Sequence, residues 1–257
     1  MNNKRYYVFS DGITFENGKP LPKVGQWVAQ NRNASLRTGG FCVYPHPFSA
    51  LESARGVWLH QVELGGTVIH DTVNDSVYAS NLRLLSSLNT RDLCLRFARK
   101  CAGDALGKWP ASDVVRKYIK TGDPSLQRNA NEAAYEFGRK LSSKGEWCKV
   151  EAAFSAVAAA QYVAFSLDAI YSARASAWAA CRACQAKEAK SKLVKYRAWF
   201  KRMVDEEFST DSIFSAPDDS GWHSVGWGTL NRNRPIRPPA RRLQRQAQSM
   251  NCERNRQ

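Results

Sequence analysis

From Glu146 to Ala216 the chain contains neither glycine nor proline, and the stretch EAAFSAVAAAQYVAFSLDAIYSARASAWAACRAC (151–184) inside it holds fourteen alanines. Nothing else in the sequence restricts the fold so strongly. One uninterrupted helix of that length would reach on the order of 100 Å at 1.5 Å per residue. A compact bundle therefore requires breaks without an obvious breaker, and Ser166-Leu-Asp168 and Glu188 to Lys192 carry the residues to make them. The longest uncharged part, Ala152 to Leu167, is 16 residues of mostly Ala and Ser. It is too short and too weakly apolar to cross a bilayer, which excludes a membrane span here. Alanine is the strongest helix former, and its small side chain lets neighbouring helices approach closely. The expectation is a core helix buried on several sides, with Phe154, Val157, Phe165, Ile170 and Trp178 as its large knobs; a homo-oligomer seam through this helix is the second reading.

The residues before it follow a different period. Between Tyr6 and about Leu88, short alternating runs are separated by turn residues. In VWLHQVEL (57–64), Trp58, His60, Val62 and Leu64 share one face and Leu59, Gln61 and Glu63 the other, which is strand chemistry. Gly65-Gly66 is expected to make a tight connection to TVIHD, and VYASNLRLL (77–85) supplies a third run. HPFSALESARG offers one short helix, with Pro47 near its start and Gly56 at its end.

At Asn89 the period changes to 3.6. NTRDL provides an N-cap with an acid in the first turn, followed by Leu93, Phe97 and Cys101 on one face. Ser112-Asp113 opens a short helix that ends at Gly122. Asp123-Pro124 opens another, burying Leu126, Ala130, Ala133, Phe137 and Leu141. After Phe208, Ser, Asp, Gly, Pro, Asn and Arg dominate, a composition that cannot bury enough apolar surface to fold alone. The fold class expected is α+β: a small mixed domain (1–88), an alanine-rich helical bundle (89–208) and a basic disordered tail (209–257).

Charge points to the partner. Of a net +15, residues 187–202 hold +6 and residues 231–257 hold +7, so the rest of the chain is close to neutral. Charge concentrated in this way predicts an anionic partner, such as nucleic acid, an acidic protein surface or a lipid headgroup. The basic helix AKEAKSKLVKYRAWFKRMV sets Leu193, Tyr196, Phe200 and Met203 on one stripe with cations around it, the pattern of a packed helix with a solvated basic face, a membrane-surface helix or a nucleic-acid-facing helix. Trp222 and Trp227 precede the tail arginines, and aromatics beside arginines can stack on unpaired bases while guanidinium groups hold phosphates. The candidate contacts are Lys195, Arg197, Lys201, Arg202, Trp222, Trp227, Arg237, Arg241 and Arg242.

Catalytic and metal signals are sparse. Seven scattered cysteines read as reduced thiols, not as a disulfide framework. Cys42, His46, His60 and His70 lack the spacing of a zinc site, and Cys181-x-x-Cys184 has no second pair, so no metal is expected. There is no G-x-S-x-G, HExxH or phosphate-cradling glycine loop. His60 and Glu63 point to opposite faces of their strand. The N-terminus turns polar within ten residues and lacks the apolar stretch of a secretion signal.

The segment GFCVYPHPFSALESARGVWLHQVELGGTVIHDTVNDSVYASNLRLL resembles an uncharacterised domain family of bacteriophage and prophage proteins. That family's pattern runs Gly-aromatic, His-Ala-small, a short helix, a Val-Glu strand ending in glycine, and a Lys-x-Ala strand; the likeness covers residues 9–88. The helices from TRDLCLRFARKCAGDAL onward are similar to alanine-rich regions of immunity proteins. The chain departs from the pattern at Cys42, where histidine is usual, and at Asp75-Ser76, where lysine is usual. The resemblance implies a phage-encoded accessory protein that acts by binding in the host cytoplasm, in counter-defence or host takeover, without a cofactor. The strand, helix, strand order is also similar to ADP-ribosyltransferase folds, which implies, as the alternative, an NAD-using enzyme with Glu63 as its essential carboxylate. A virion component is the third reading. The two departures imply loss of part of any active site and favour the non-enzyme reading.

Overall fold

The computed structural model describes residues 4–15, 18, 20–30, 40–143, 168–183 and 186–211. The chain divides into Met1–Phe214 and Ser215–Gln257, and the described residues all belong to the first. The fold is α+β. Strands β1 (Tyr6–Ser10), β2 (Trp27–Ala29), β3 (Phe41–Val43), β4 (Trp58–Asp71) and β5 (Ser76–Asn89) form one antiparallel sheet. Helices α1 (Pro47–Glu52), α2 (Arg91–Ala105), α3 (Asp113–Thr121), α4 (Pro124–Ser143), α5 (Ala169–Arg182) and α6 (Ala186–Asp211) complete the described elements, with a 3-10 turn at Leu106–Lys108.

The strand order is β1-β4-β5-β2, and β3 pairs with the same edge of β5 nearer its start. Tyr7 and Tyr44 then exchange two backbone hydrogen bonds of 2.8 and 2.9 Å, which brings the end of β3 back to β1. The pairings thus run in a closed ring, β1 to β4 to β5 to β3 to β1, and the sheet curls around its own small core. Tyr6, Val8, Phe41, Val62 and Leu82 fill that core, and Phe15 caps it with its ring edge-on to Phe41 at 5.5 Å. Because side chains alternate along a strand, Tyr7, Phe9, Leu59 and Leu88 leave the opposite face and join the helices.

Gly65-Gly66 does not make the expected turn. β4 runs through it as a 14-residue strand with a register shift between Gly65 and Val68, and the hairpin turns at residues 72–75. Gly66 has φ +67°, and an added Cβ would lie 2.1 Å from Ser80 Oγ; at Gly65 it would lie 2.9 Å from the Trp27 ring. The pair therefore builds a bulge that bends the strand and lets Trp27 lie against it. The turn is made by Asp71, whose Oδ1 accepts from the amides of Val73 and Asn74 at 3.0 and 3.3 Å.

The helix starts follow the sequence closely. His46 Nδ1 accepts from the Phe48 amide at 3.1 Å with Pro47 in the first turn of α1. Asp123 Oδ1 accepts from the Ser125 amide at 2.9 Å ahead of α4, and Gly122 ends α3 at φ +70°. α2 departs in one detail: its N-cap Thr90 donates to the Val57 carbonyl at 2.7 Å, and Asn89 Oδ1 takes the Arg91 amide at 3.1 Å. The start of α2 is thereby tied to the start of β4.

The glycine-free run breaks at Asp168, whose Oδ1 accepts from the amides of Ile170 and Tyr171 at 2.9 and 3.1 Å. The other expected break, Glu188 to Lys192, lies inside α6, while α5 ends at Arg182 with Ala183 as its C-cap. On α5, Ala169, Ala173, Ala177 and Ala180 are buried in the same cluster as Cys94, Ala98, Cys101 and Ala102 of α2. This close seam of small residues answers the opening stretch in part: Ile170 is buried, but Trp178 is 43% exposed. A contact between two alanine faces leaves no groove for an indole, so the tryptophan sits on the other side. Phe154, Val157, Phe165 and Leu141 fall outside the residues whose side chains are described. Where sheet and helices meet, Phe48, Phe97 and Phe200 form an edge-to-face triad with centroids 5.0 to 6.1 Å apart. Among the described residues no helix is long and apolar enough to cross a membrane.

Candidate functional site

α6 carries the folded part of the expected site. Its buried stripe is Tyr196, Phe200, Val204 and Phe208, with Leu193 and Met203 partly buried beside it. Most of its singled-out cations are engaged within the chain. Lys195 Nζ lies 2.7 Å from Asp104 Oδ1 and 4.5 Å from the centre of the Trp199 ring, where Lys100 also lies at 4.5 Å. Lys201 pairs with Asp205 at 2.5 Å, and Arg202 faces Glu206 at 3.9 Å. Trp222, Trp227, Arg237, Arg241 and Arg242 lie outside the described residues.

Asp104, at the end of α2, is the hub that fastens α6. Lys192 and Lys195 each approach its carboxylate at 2.7 Å, and the Tyr196 hydroxyl donates to it at 2.8 Å. Burial alone would raise its pKa, but the hydrogen bonds from Lys192, Lys195 and Tyr196 outweigh that and hold it at about 2. Burial, together with this hydrogen bond to Asp104, drives the Tyr196 hydroxyl the other way, well above a free tyrosine. Asp104→Asn keeps the shape and removes the charge, so it is expected to cost about 2 kcal/mol of stability, the scale of a hydrogen bond to a charged partner. Urea unfolding at pH 7 measures this, and an unchanged midpoint would remove the hub from the fold's support.

Glu63 is paired across the sheet with Arg83 in the β4–β5 register. The Arg83 guanidinium also lies 5.3 Å from the Trp27 ring centre. Glu63 lines neither of the two cavities below. His60 is buried on the other face, with Nε2 2.7 Å from Ser10 Oγ and Nδ1 2.8 Å from Ser87 Oγ. It joins three strands and does not meet Glu63. Cys94, Cys101 and Cys181 are buried thiols outside any disulfide; burial pushes Cys94 up to about 12, which keeps it protonated and inert. Among the described residues no group of three His, Cys, Asp or Glu side chains is placed to hold a metal.

Arg197 behaves differently from the other cations of α6. It is partly buried and lines a polar cavity of about 430 Å³ between α1, α6 and the β4–β5 turn. α1 turns Phe48 and Leu51 into the core and delivers Ser49 and Glu52 to the cavity. Ser49 Oγ donates to Asp75 Oδ2 at 2.7 Å, and Asp75 holds the left-handed conformation at φ +50°. Arg174 of α5 donates to the Glu52 carbonyl at 2.9 Å. Burial raises the Glu52 carboxyl, against the pull of Arg197 and Arg174. Burial lowers the His46 ring, and Arg197 and Lys201 lower it further.

A second cavity of about 350 Å³ adjoins the first through the shared walls Tyr44, Ser53 and Tyr78. It is lined by Val8, Phe15, Phe41, Leu82 and Cys42. The Tyr44 hydroxyl donates to Ser53 Oγ at 2.7 Å on the dividing wall. The two departures from the phage-domain pattern, Cys42 and Asp75-Ser76, both fall on these cavities. Glu52, Tyr44 and Tyr78 carry no local signal, because the site assembles from separate segments. Those departures were the one trace of it in the sequence.

The geometry defines an α+β protein with a two-compartment cleft at the junction of sheet and helices. Comparison of the chain with family models, with curated proteins and with solved structures finds no match.

Proposed function

We propose that this protein acts by binding an anionic partner through its C-terminal basic segment, with the α+β body as the platform. The observation that carries the reading is the fate of the α6 cations. Lys195, Lys201 and Arg202 are engaged by Asp104, Asp205 and Glu206, so the +7 of residues 231–257 is the larger surplus left to attract a partner. Nucleic acid is the first partner to test, since arginines hold phosphates and Trp222 and Trp227 offer stacking faces; an acidic host-protein face is the other. The setting that goes with this reading is a phage accessory protein in the host cytoplasm, in counter-defence or host takeover.

The test is a salt titration of binding to single-stranded and duplex probes by the full chain and by a full-length Arg237→Gln, Arg241→Gln, Arg242→Gln variant. Each lost phosphate contact flattens the slope of log K against log salt by about 0.7 to 0.9. The triple variant is therefore expected to bind more weakly with a slope shallower by about 2, whereas Lys201→Ala, whose cation is already paired, leaves the slope unchanged. Equal affinity and slope for the triple variant and the parent would reject the reading.

A further inference from the structure

We propose that the two adjoining cavities form one binding site for a neutral, hydroxyl-rich ligand that carries a flat ring: a nucleoside or an aryl glycoside. The sugar takes the polar compartment and the ring takes the apolar one. Each compartment falls within the roughly 300–1,000 Å³ span of small-molecule sites. The assignment to this class rests on charge, on hydrogen-bonding capacity and on lining.

Charge argues against an anion. Among the described lining residues Glu52 and Asp75 are the carboxylates and Arg197 the cation, so a phosphate or carboxylate would meet net repulsion there. Capacity argues for hydroxyls. Two carboxylates require donors, a guanidinium requires an acceptor, and a hydroxyl supplies both from one atom. A vicinal diol meets all three in a small space. Two polar atoms in the wall also lack a hydrogen bond. Arg197 Nε is buried without a hydrogen bond; Ser76 Oγ, beside Tyr78 but outside hydrogen-bonding geometry to it, is buried and equally without one. Buried polar atoms are nearly always satisfied, and a small rotation of either side chain turns it toward a ligand in the cleft. Lining fixes the second part of the ligand. Phe15, Phe41 and Leu82 give the adjoining compartment an apolar wall, and the rings of Tyr44 and Tyr78 divide it from the polar one, which suits a flat ring joined directly to a sugar.

The test is calorimetric titration of the full chain with adenosine, 4-nitrophenyl glucoside and AMP, together with iodoacetamide labelling of Cys42 followed by peptide mass spectrometry. Saturable binding of adenosine or of the glycoside, with labelling of Cys42 slowed at the same concentrations, is expected, and whichever of the two binds identifies the source of the sugar. Arg197→Gln is expected to weaken that binding about tenfold or more, the scale of a lost charged hydrogen bond. Ser76→Ala removes a buried hydroxyl without a partner, so its thermal midpoint stays level or rises while affinity falls about threefold to tenfold. That variant separates loss of the ligand from loss of the fold. Tighter binding of AMP than of adenosine would overturn the charge argument and the proposal with it, and so would absence of binding by both neutral probes. None of these outcomes bears on the C-terminal arginines, so the site and the proposed function fail separately.

Discussion

Phe97→Ala is expected to destabilise the protein by about 3–5 kcal/mol, the range for truncating a buried phenylalanine. Phe97 is fully buried and meets Phe48 of α1 and Phe200 of α6 in edge contact. Its removal leaves a hole where three helices and the sheet converge, and the neighbours cannot close it together: Pro47 constrains α1, and α6 is held to α2 by Asp104. The loss should appear as a lower urea midpoint. Trp178→Ala is the comparison, since that larger ring is 43% exposed and should change stability by no more than about 0.5 kcal/mol, as surface substitutions do. If Trp178 proved the costlier of the two, the placement of α5 and of the triad would both be wrong.

The second large effect is a loss of stability in weak acid. Burial lowers His60 to about 4, because a cationic ring cannot be solvated between the strands and each nitrogen already bonds a serine hydroxyl. Unfolding restores an ordinary histidine near 6.5, so the unfolded chain takes up the proton first. The His60 contribution is complete above pH 6.5, declines as the pH falls and is lost by about pH 4. A shift of that size corresponds to about 3 kcal/mol. His46, also lowered by burial and by Arg197 and Lys201, works in the same direction; Glu52, raised by burial, works in the opposite one, and Asp104 titrates only lower, at about 2. His60→Gln isolates the effect: it starts less stable at pH 7 and then loses less stability than the wild type down to pH 4.5. Wild-type protein equally stable at pH 4.5 and pH 7 would exclude a neutral, buried His60.

These effects arise from contacts that differ greatly in how far they could be read in advance. Pro47, Ser112, Gly122, Asp123 and Pro124 act on their own backbones, and the helices they bound begin and end where those residues stand. The alternation of residues 57–64 likewise identified β4 and put His60 and Glu63 on opposite faces. Gly65-Gly66 was misread because a glycine pair permits both a turn and a bulge; the Trp27 ring and Ser80 decide which forms. Glu188 to Lys192 is helix and not the expected break, and Lys192 and Lys195 belong to the turn of α6 that reaches Asp104, about ninety residues earlier.

The cleft lay furthest from view. Arg197 was chosen as one of several surface cations, and its neighbours Glu52, Asp75, Ser76 and Tyr78 come from two other, separate parts of the chain.

By itself the sequence determined the α+β class, most of the described helix starts, and the concentration of charge in two segments. Each of these follows from forces that act within a few residues or from totals that do not depend on arrangement. The tertiary structure alone decided which cations are neutralised, which aromatics fill the core, and that α1, α6 and the β4–β5 turn enclose a cavity. Those outcomes depend on side chains that packing brings together from distant positions, and no local pattern encodes that meeting.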